Sequence, residues 1–110
     1  MSKFLILYRA PDSIREAVEK ATPEQVQAVG AAWQAWSTKV GYALTDFGAP
    51  VAHTTHVGPG DPAADGVCGY SILEAGSADE IGTLLDSHPH LQLTPGGSIE
   101  VLEIIPLGDL

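Results

Sequence analysis

Residues 22–41 read TPEQVQAVGAAWQAWSTKVG, a helix with both ends marked. Thr22 can cap the first turn, Pro23 suits the first helical position, and Gln25 completes a capping box. Val26, Val29, Trp33, Trp36 and Val40 then recur at three- and four-residue spacing, which draws one apolar stripe along the helix. Gly41 is a natural stop. The helix should cover about 18 residues, or about 27 Å at the usual rise. A stripe that long needs an apolar surface to lie on, and the chain on either side supplies strands.

Before it, Lys3 to Tyr8 is a β-branched and aromatic run. Phe4, Ile6 and Tyr8 point to one face and Leu5 and Leu7 to the other, so both faces of this strand call for cover. Arg9 to Ala21 is mixed, with room for a short helical turn over Ser13 to Lys20 between Pro11 and Pro23. After the long helix, Tyr42 to Val57 reads as one strand or two segments, interrupted at Gly48-Ala-Pro50 by a bulge or bend, because proline cannot donate to a ladder. Gly58 to Gly66 is a loop by composition. Val67 to Glu74 is a further strand. Ser77-Ala-Asp-Glu80 is a second capping box and opens a helix with Ile81, Leu84, Leu85 and His88 along one face, ended by Pro89. Thr94-Pro-Gly-Gly97 is a turn, and Ser98 to Pro106 is the last strand.

Strand, helix, strand thus occurs twice. With right-handed crossovers this gives a single α+β domain over residues 1–110, a ferredoxin-like β-α-β-β-α-β unit. Two helices cover one face of its four-stranded antiparallel sheet. The last strand has Ile99, Val101 and Ile105 on one side and Leu102 and Ile104 on the other, and the first strand is also apolar on both sides, so the second face requires a partner. A symmetric homodimer is the commonest solution.

Composition narrows the function classes. Acidic residues number 14 and basic residues 5, for a formal charge of −9. Lys3, Arg9, Arg15, Lys20 and Lys39 are few and scattered, which argues against nucleic acid and anionic membranes as partners. The apolar run Phe4 to Tyr8 is too short for a signal segment or a membrane span. With one cysteine, Cys68, no intramolecular disulfide forms. The expected location is the cytoplasm.

The segments Gly69-Tyr-Ser-Ile-Leu-Glu-Ala-Gly-Ser-Ala-Asp-Glu80, Ser87-His-Pro-His-Leu91 and Gly96-Gly-Ser-Ile-Glu-Val101 resemble the YCII-related family, including the branch often called DGPF-domain proteins. The opening strand ending in Tyr8 and Leu44-Thr-Asp-Phe-Gly-Ala-Pro-Val51 fit the same pattern. The resemblance implies a dimeric α/β barrel with a pocket between sheet and helices. Some relatives are thought to use a His–Asp pair, and one is implicated in dehydrochlorination of an aromatic compound. Two departures stand out. The usual histidine near the start of the first long helix is replaced by Thr22-Pro-Glu-Gln25, and Asp65-Gly-Val-Cys68 stands where the DGPF tetrapeptide would be.

Any acid–base pair must therefore come from other positions. Asp46 sits among Leu44, Phe47 and Val51, where apolar surroundings would raise its pKa and suit it to acid–base work. The alternative is an exposed edge position, or a bond to backbone at the Gly48 bend. His90 follows Pro89, which fixes the backbone, and a neutral imidazole can take or give a proton near pH 7. The alternative has His88 capping the C-terminus of the second helix, favoured by the dipole, while His90 packs under the loop. Tyr8 and Trp33 would shape the walls of a site for a partly aromatic molecule. Glu100 and Glu103 interrupt the last strand, and one of them can pair with Arg9. Cys68 reads as a small hydrophobe.

His53 and His56 lie an odd number apart on a probable strand, so they point to opposite faces, and a metal could unite them only if that segment is not extended. No phosphate-cradling or nucleophile motif occurs, and no cofactor or metal is expected. The leading expectation is a small enzyme in which His90 and Asp46 transfer protons on a small, partly aromatic metabolite. The alternatives are a non-catalytic small-molecule-binding dimer and a protein-interaction dimer, the latter using the Gly58 to Gly66 loop.

Overall fold

A computed structural model describes residues 1–11, 14–60 and 66–109. Its elements run β1 (Ser2–Ala10), α1 (Ile14–Lys20), α2 (Pro23–Val40), β2 (Leu44–Pro50), β3 (Gly66–Ala75), α3 (Ala78–Leu84), α4 (Pro89–Leu93) and β4 (Ser98–Ile104). Single 3-10 turns follow α2 and β4, at Gly41–Ala43 and Leu107–Asp109. Most of the Gly58 to Gly66 loop, Asp65 included, lies outside the described residues.

The strands form one sheet in the order β2-β3-β1-β4, antiparallel throughout, which is the ferredoxin-like arrangement. Phe4, Ile6 and Tyr8 of β1 are buried with Leu73 and Ala75 of β3, Trp36 and Val40 of α2, and Ile81 and Leu85. One side of the sheet therefore packs against helices. The extents of 45 × 41 × 19 Å are those of a two-layer slab.

Local chemistry accounts for the element ends. Thr22 accepts the Gln25 N–H at 3.1 Å while Gln25 accepts the Thr22 N–H at 2.9 Å, a complete capping box. At α3 the reciprocal bond slips by one residue. Ser77 accepts the Glu80 N–H, but the Glu80 carboxylate reaches back to the Gly76 N–H at 2.9 Å. Pro89 does more than end a helix: it starts α4, a single further turn. In β2 the ladder with β3 shifts on both sides of Asp46. Gly48 sits there at φ 80°, where a Cβ would lie 1.7 Å from the Tyr70 carbonyl oxygen, so only glycine fits this bulge. The chain from Val51 to Val57 has no regular structure, so β2 is shorter than its sequence suggests.

Among the described residues, the helical members of the core lie on the Phe4, Ile6 and Tyr8 side of the sheet. Leu5 faces Ile72 on one side and Leu102 on the other, and Leu7 faces Tyr70 and Glu100. Leu102 and Ile104 are 43% and 41% exposed. The Glu100 carboxylate holds the Arg9 guanidinium at 3.1 Å on the side of Leu5 and Leu7. Glu103, opposite Phe4, is exposed on the edge strand.

Candidate functional site

Between the sheet and the helices, the core contains a group of rings that carry polar atoms. Tyr8 enters from β1, Trp33 and Trp36 from successive turns of α2, and Phe47 from β2. His88 and His90 enter from the start of α4. Strand alternation brings Tyr8 inward, and the three-residue spacing on α2 sets both indoles over it. Trp33 is half-buried and stands edge-on to Tyr8 at 4.8 Å and to His88 at 4.6 Å between ring centres. Trp36 is buried, lies 4.3 Å from His88, and donates its indole N–H to the Leu84 carbonyl at 3.1 Å.

Hydrogen bonds assign the protons. The Tyr8 hydroxyl donates to Ser71 Oγ at 2.9 Å, and Ser71 donates onward to the Phe47 carbonyl at 2.7 Å. Burial pushes the Tyr8 pKa up to about 12, with the Ser71 bond opposing it, so this phenol stays a neutral donor. His90 donates from Nε2 to the Arg9 carbonyl at 2.8 Å, while Thr94 Oγ1 lies 3.4 Å from its Nδ1. That bond fastens α4 to β1 at the register shift between Tyr8 and Arg9. The approach is close: a Cβ on Gly97 would stand 3.0 Å from His90 Nε2. Beside it lies a depression of about 50 Å³ lined by Arg9, Ala10, Pro11, Gly96 and Ser98.

His88 differs from His90. Its Nδ1 accepts the His90 backbone N–H at 2.9 Å, which caps α4. A neutral ring that accepts at Nδ1 carries its proton on Nε2. This Nε2 is buried and has no hydrogen-bond partner among the described residues. Burial, and secondarily the His90 ring, lower the His88 pKa to about 4, so the imidazole is neutral at pH 7.

The structure does not join His90 to Asp46. Asp46 is exposed, and its Oδ1 accepts the Gly48 N–H at 2.8 Å across the bulge. It stands opposite Ile72, on the side of Leu5 and Leu7, whereas its neighbour Phe47 packs into the core. The strand phase at the bulge gives the inward position to Phe47 and the outward one to Asp46. Tyr8 and Trp33, by contrast, meet at one place. His88 was not read as a site residue in the sequence, although it shares the apolar stripe of Ile81, Leu84 and Leu85. That stripe was the signal for its burial. His53 and His56 are exposed on the irregular stretch after β2, where the His56 ring meets the Gly60 carbonyl. Among the described residues no three His, Cys, Asp or Glu side chains gather as a metal would need. Cys68 is half-buried, and burial raises its thiol pKa.

No family model and no curated protein matches this chain. Among solved structures it is similar to the 5-chloro-2-hydroxyhydroquinone dehydrochlorinase from Burkholderia phenoliruptrix, in a complex with 2,5-dihydroxybenzoquinone. The identity is 24%, over 89% of this chain and 90% of that one, with a TM-score of 0.48. The fold assignment rests on the strand order and register of this chain itself.

Proposed function

We propose that this protein is a homodimer of the YCII-related type that binds a small, partly aromatic molecule on the helix side of each sheet. In this reading Trp33 is the movable wall and Tyr8 the floor. The observation that carries it is the company these rings keep. Two imidazoles and a phenol are buried among indoles in a small domain, where a purely structural core would be cheaper to build from aliphatic side chains. Among the covering rings Trp33 and Phe47 keep contact with solvent, and turning the Trp33 side chain would open the group.

Binding is favoured over acid–base catalysis because Tyr8 is a neutral donor and each buried imidazole has a ring nitrogen committed to the backbone. Tyr8 holds its proton, and the His90 ring is engaged with Arg9 and Thr94. Asp46, on the other side of the sheet, has no bond to either histidine. Dimerisation is supported by surface area. A folded monomer of 11.5 kDa is expected to expose about 5,800 Å², and this chain exposes 7518 Å². Part of the excess comes from the exposed α1 and the irregular stretch after β2, and part from Leu102 and Ile104 on the sheet face. The face around Leu5, Leu7, Ile72, Leu102 and Ile104 is the surface a second copy would cover.

The test is a screen of small aromatic ketones, phenols and acids by ligand-observed NMR, repeated with two variants. Trp33→Leu should weaken the compounds that bind by about tenfold or more, through loss of a stacking wall. Asp46→Asn should leave their affinity unchanged. Turnover of any of these compounds that Asp46→Asn abolishes would favour the enzyme instead, and a screen with no binder would remove the site.

A further inference from the structure

The unsatisfied proton of His88 specifies what the ligand must bring. His88 is fully buried, and its ring is enclosed by Tyr8 at 5.0 Å, Trp33 at 4.6 Å and Trp36 at 4.3 Å between centres. Its Nδ1 is committed to the His90 N–H, so the ring cannot flip without uncapping α4. The tautomer and the direction of the Nε2–H are therefore fixed by the backbone. A buried donor without an acceptor is costly, and most such groups in native proteins are paired. Indole rings crossed at 82° and 62° are its immediate surroundings, and a π face is a weak acceptor compared with an oxygen.

We infer that His88 is the residue that selects the ligand: its Nε2–H, fixed by the His90 cap, donates to a carbonyl or other acceptor oxygen carried by a neutral planar molecule seated under Trp33. This rests on the binding site proposed above and adds the ligand's chemical class. The other polar group at the site points the same way. The Tyr8 hydroxyl already gives its proton to Ser71. The ring group therefore offers one free donor and no free negative charge. A ligand that brings only N–H donors, or a positive charge, meets His88 donor to donor.

Three probes of nearly one shape separate the possibilities. Acetophenone has an acceptor oxygen. α-Methylstyrene replaces that oxygen with a CH2 group. Benzamidine replaces it with an amidinium, which is cationic and only donates. Each is titrated into the 15N-labelled full-length protein, with the imidazole and indole resonances followed by NMR. The expected result is that acetophenone binds about tenfold or more tightly than α-methylstyrene, that benzamidine does not bind, and that acetophenone moves the His88 Nε2 proton downfield. His88→Thr retains an N-cap oxygen for α4, and in that variant acetophenone should lose its advantage while α-methylstyrene still binds. Equal binding of acetophenone and α-methylstyrene to the unaltered protein, with the His88 proton unmoved, would overturn the selection by His88 and leave the apolar site standing. If no probe shifts Trp33, the site itself is refuted, and the inference with it.

Discussion

His88 carries the clearest consequence of burial. Its folded-state pKa is about 4, against 6.5 for the free side chain. An unfolded chain takes up its proton as the pH falls past 6.5, whereas the folded chain resists until about 4. The stability tied to the neutral ring is thus fully present above pH 6.5 and is lost as the pH falls through that window. The full amount is about 3 kcal/mol. Urea unfolding at pH 7 and at pH 4.5 should show the midpoint falling at the lower pH, with a smaller fall in His88→Thr. An identical drop in both proteins would assign the acid sensitivity to other groups. At this scale the sequence was partly legible. Strand and helix periodicity grouped Tyr8 with Phe4 and Ile6 and put Trp33 on the α2 stripe, and these are the residues that meet between sheet and helices. Asp46 could not be placed, because the bulge at Gly48 resets the phase of β2 and a phase is invisible without the partner strand. The bond between His90 and the Arg9 carbonyl joins residues 81 apart in sequence, and no local signal announces it.

Among the elements, α2 is held at its C-terminal half. Trp36 and Val40 are buried, while Val26 and Val29 are 53% and 40% exposed. The N-terminal half of this helix therefore leans on its own cap more than on the core. Thr22→Ala should cost about 1 kcal/mol, and the loss should appear first as faster amide exchange in residues 23–29 rather than across α2 as a whole. Uniform loss of protection along the helix would mean that the N-terminal half is tied down by tertiary packing after all. The start of α2 was evident in its sequence because capping chemistry is local. The division of the second helical region into α3 and α4 was not. Pro89 is compatible with ending one helix or beginning another, and Leu84, Leu85 and His88 fall on an apolar stripe in either case.

For the whole molecule, the apolar composition of β1 and β4 on both sides already indicated an uncovered sheet face, because two helices cannot hide both surfaces of four strands. The face exists, with Leu5, Ile72 and Leu102 side by side. If a second copy covers it, Leu102→Lys combined with Ile104→Glu places two charges in the interface and should yield monomers by light scattering at micromolar concentration, with a lower melting temperature. A wild-type protein that is already monomeric would refute the dimer. The acidic charge of −9 is not confined to the helices, since Asp46 and Glu100 lie on the face a second copy would cover, Glu100 there paired with Arg9.

The central claim is that the ring group opens at Trp33 to admit a small molecule while the remainder of the core stays closed. The chain has two tryptophans, so 5-fluorotryptophan labelling gives two 19F signals, one for each side of that distinction. On adding a mixture of small aromatic ketones and phenols, the account predicts a large shift for Trp33. It predicts little change for Trp36, whose indole N–H remains bonded to the Leu84 carbonyl. Two signals that stay fixed for every compound, or that collapse together as the domain unfolds, would contradict it.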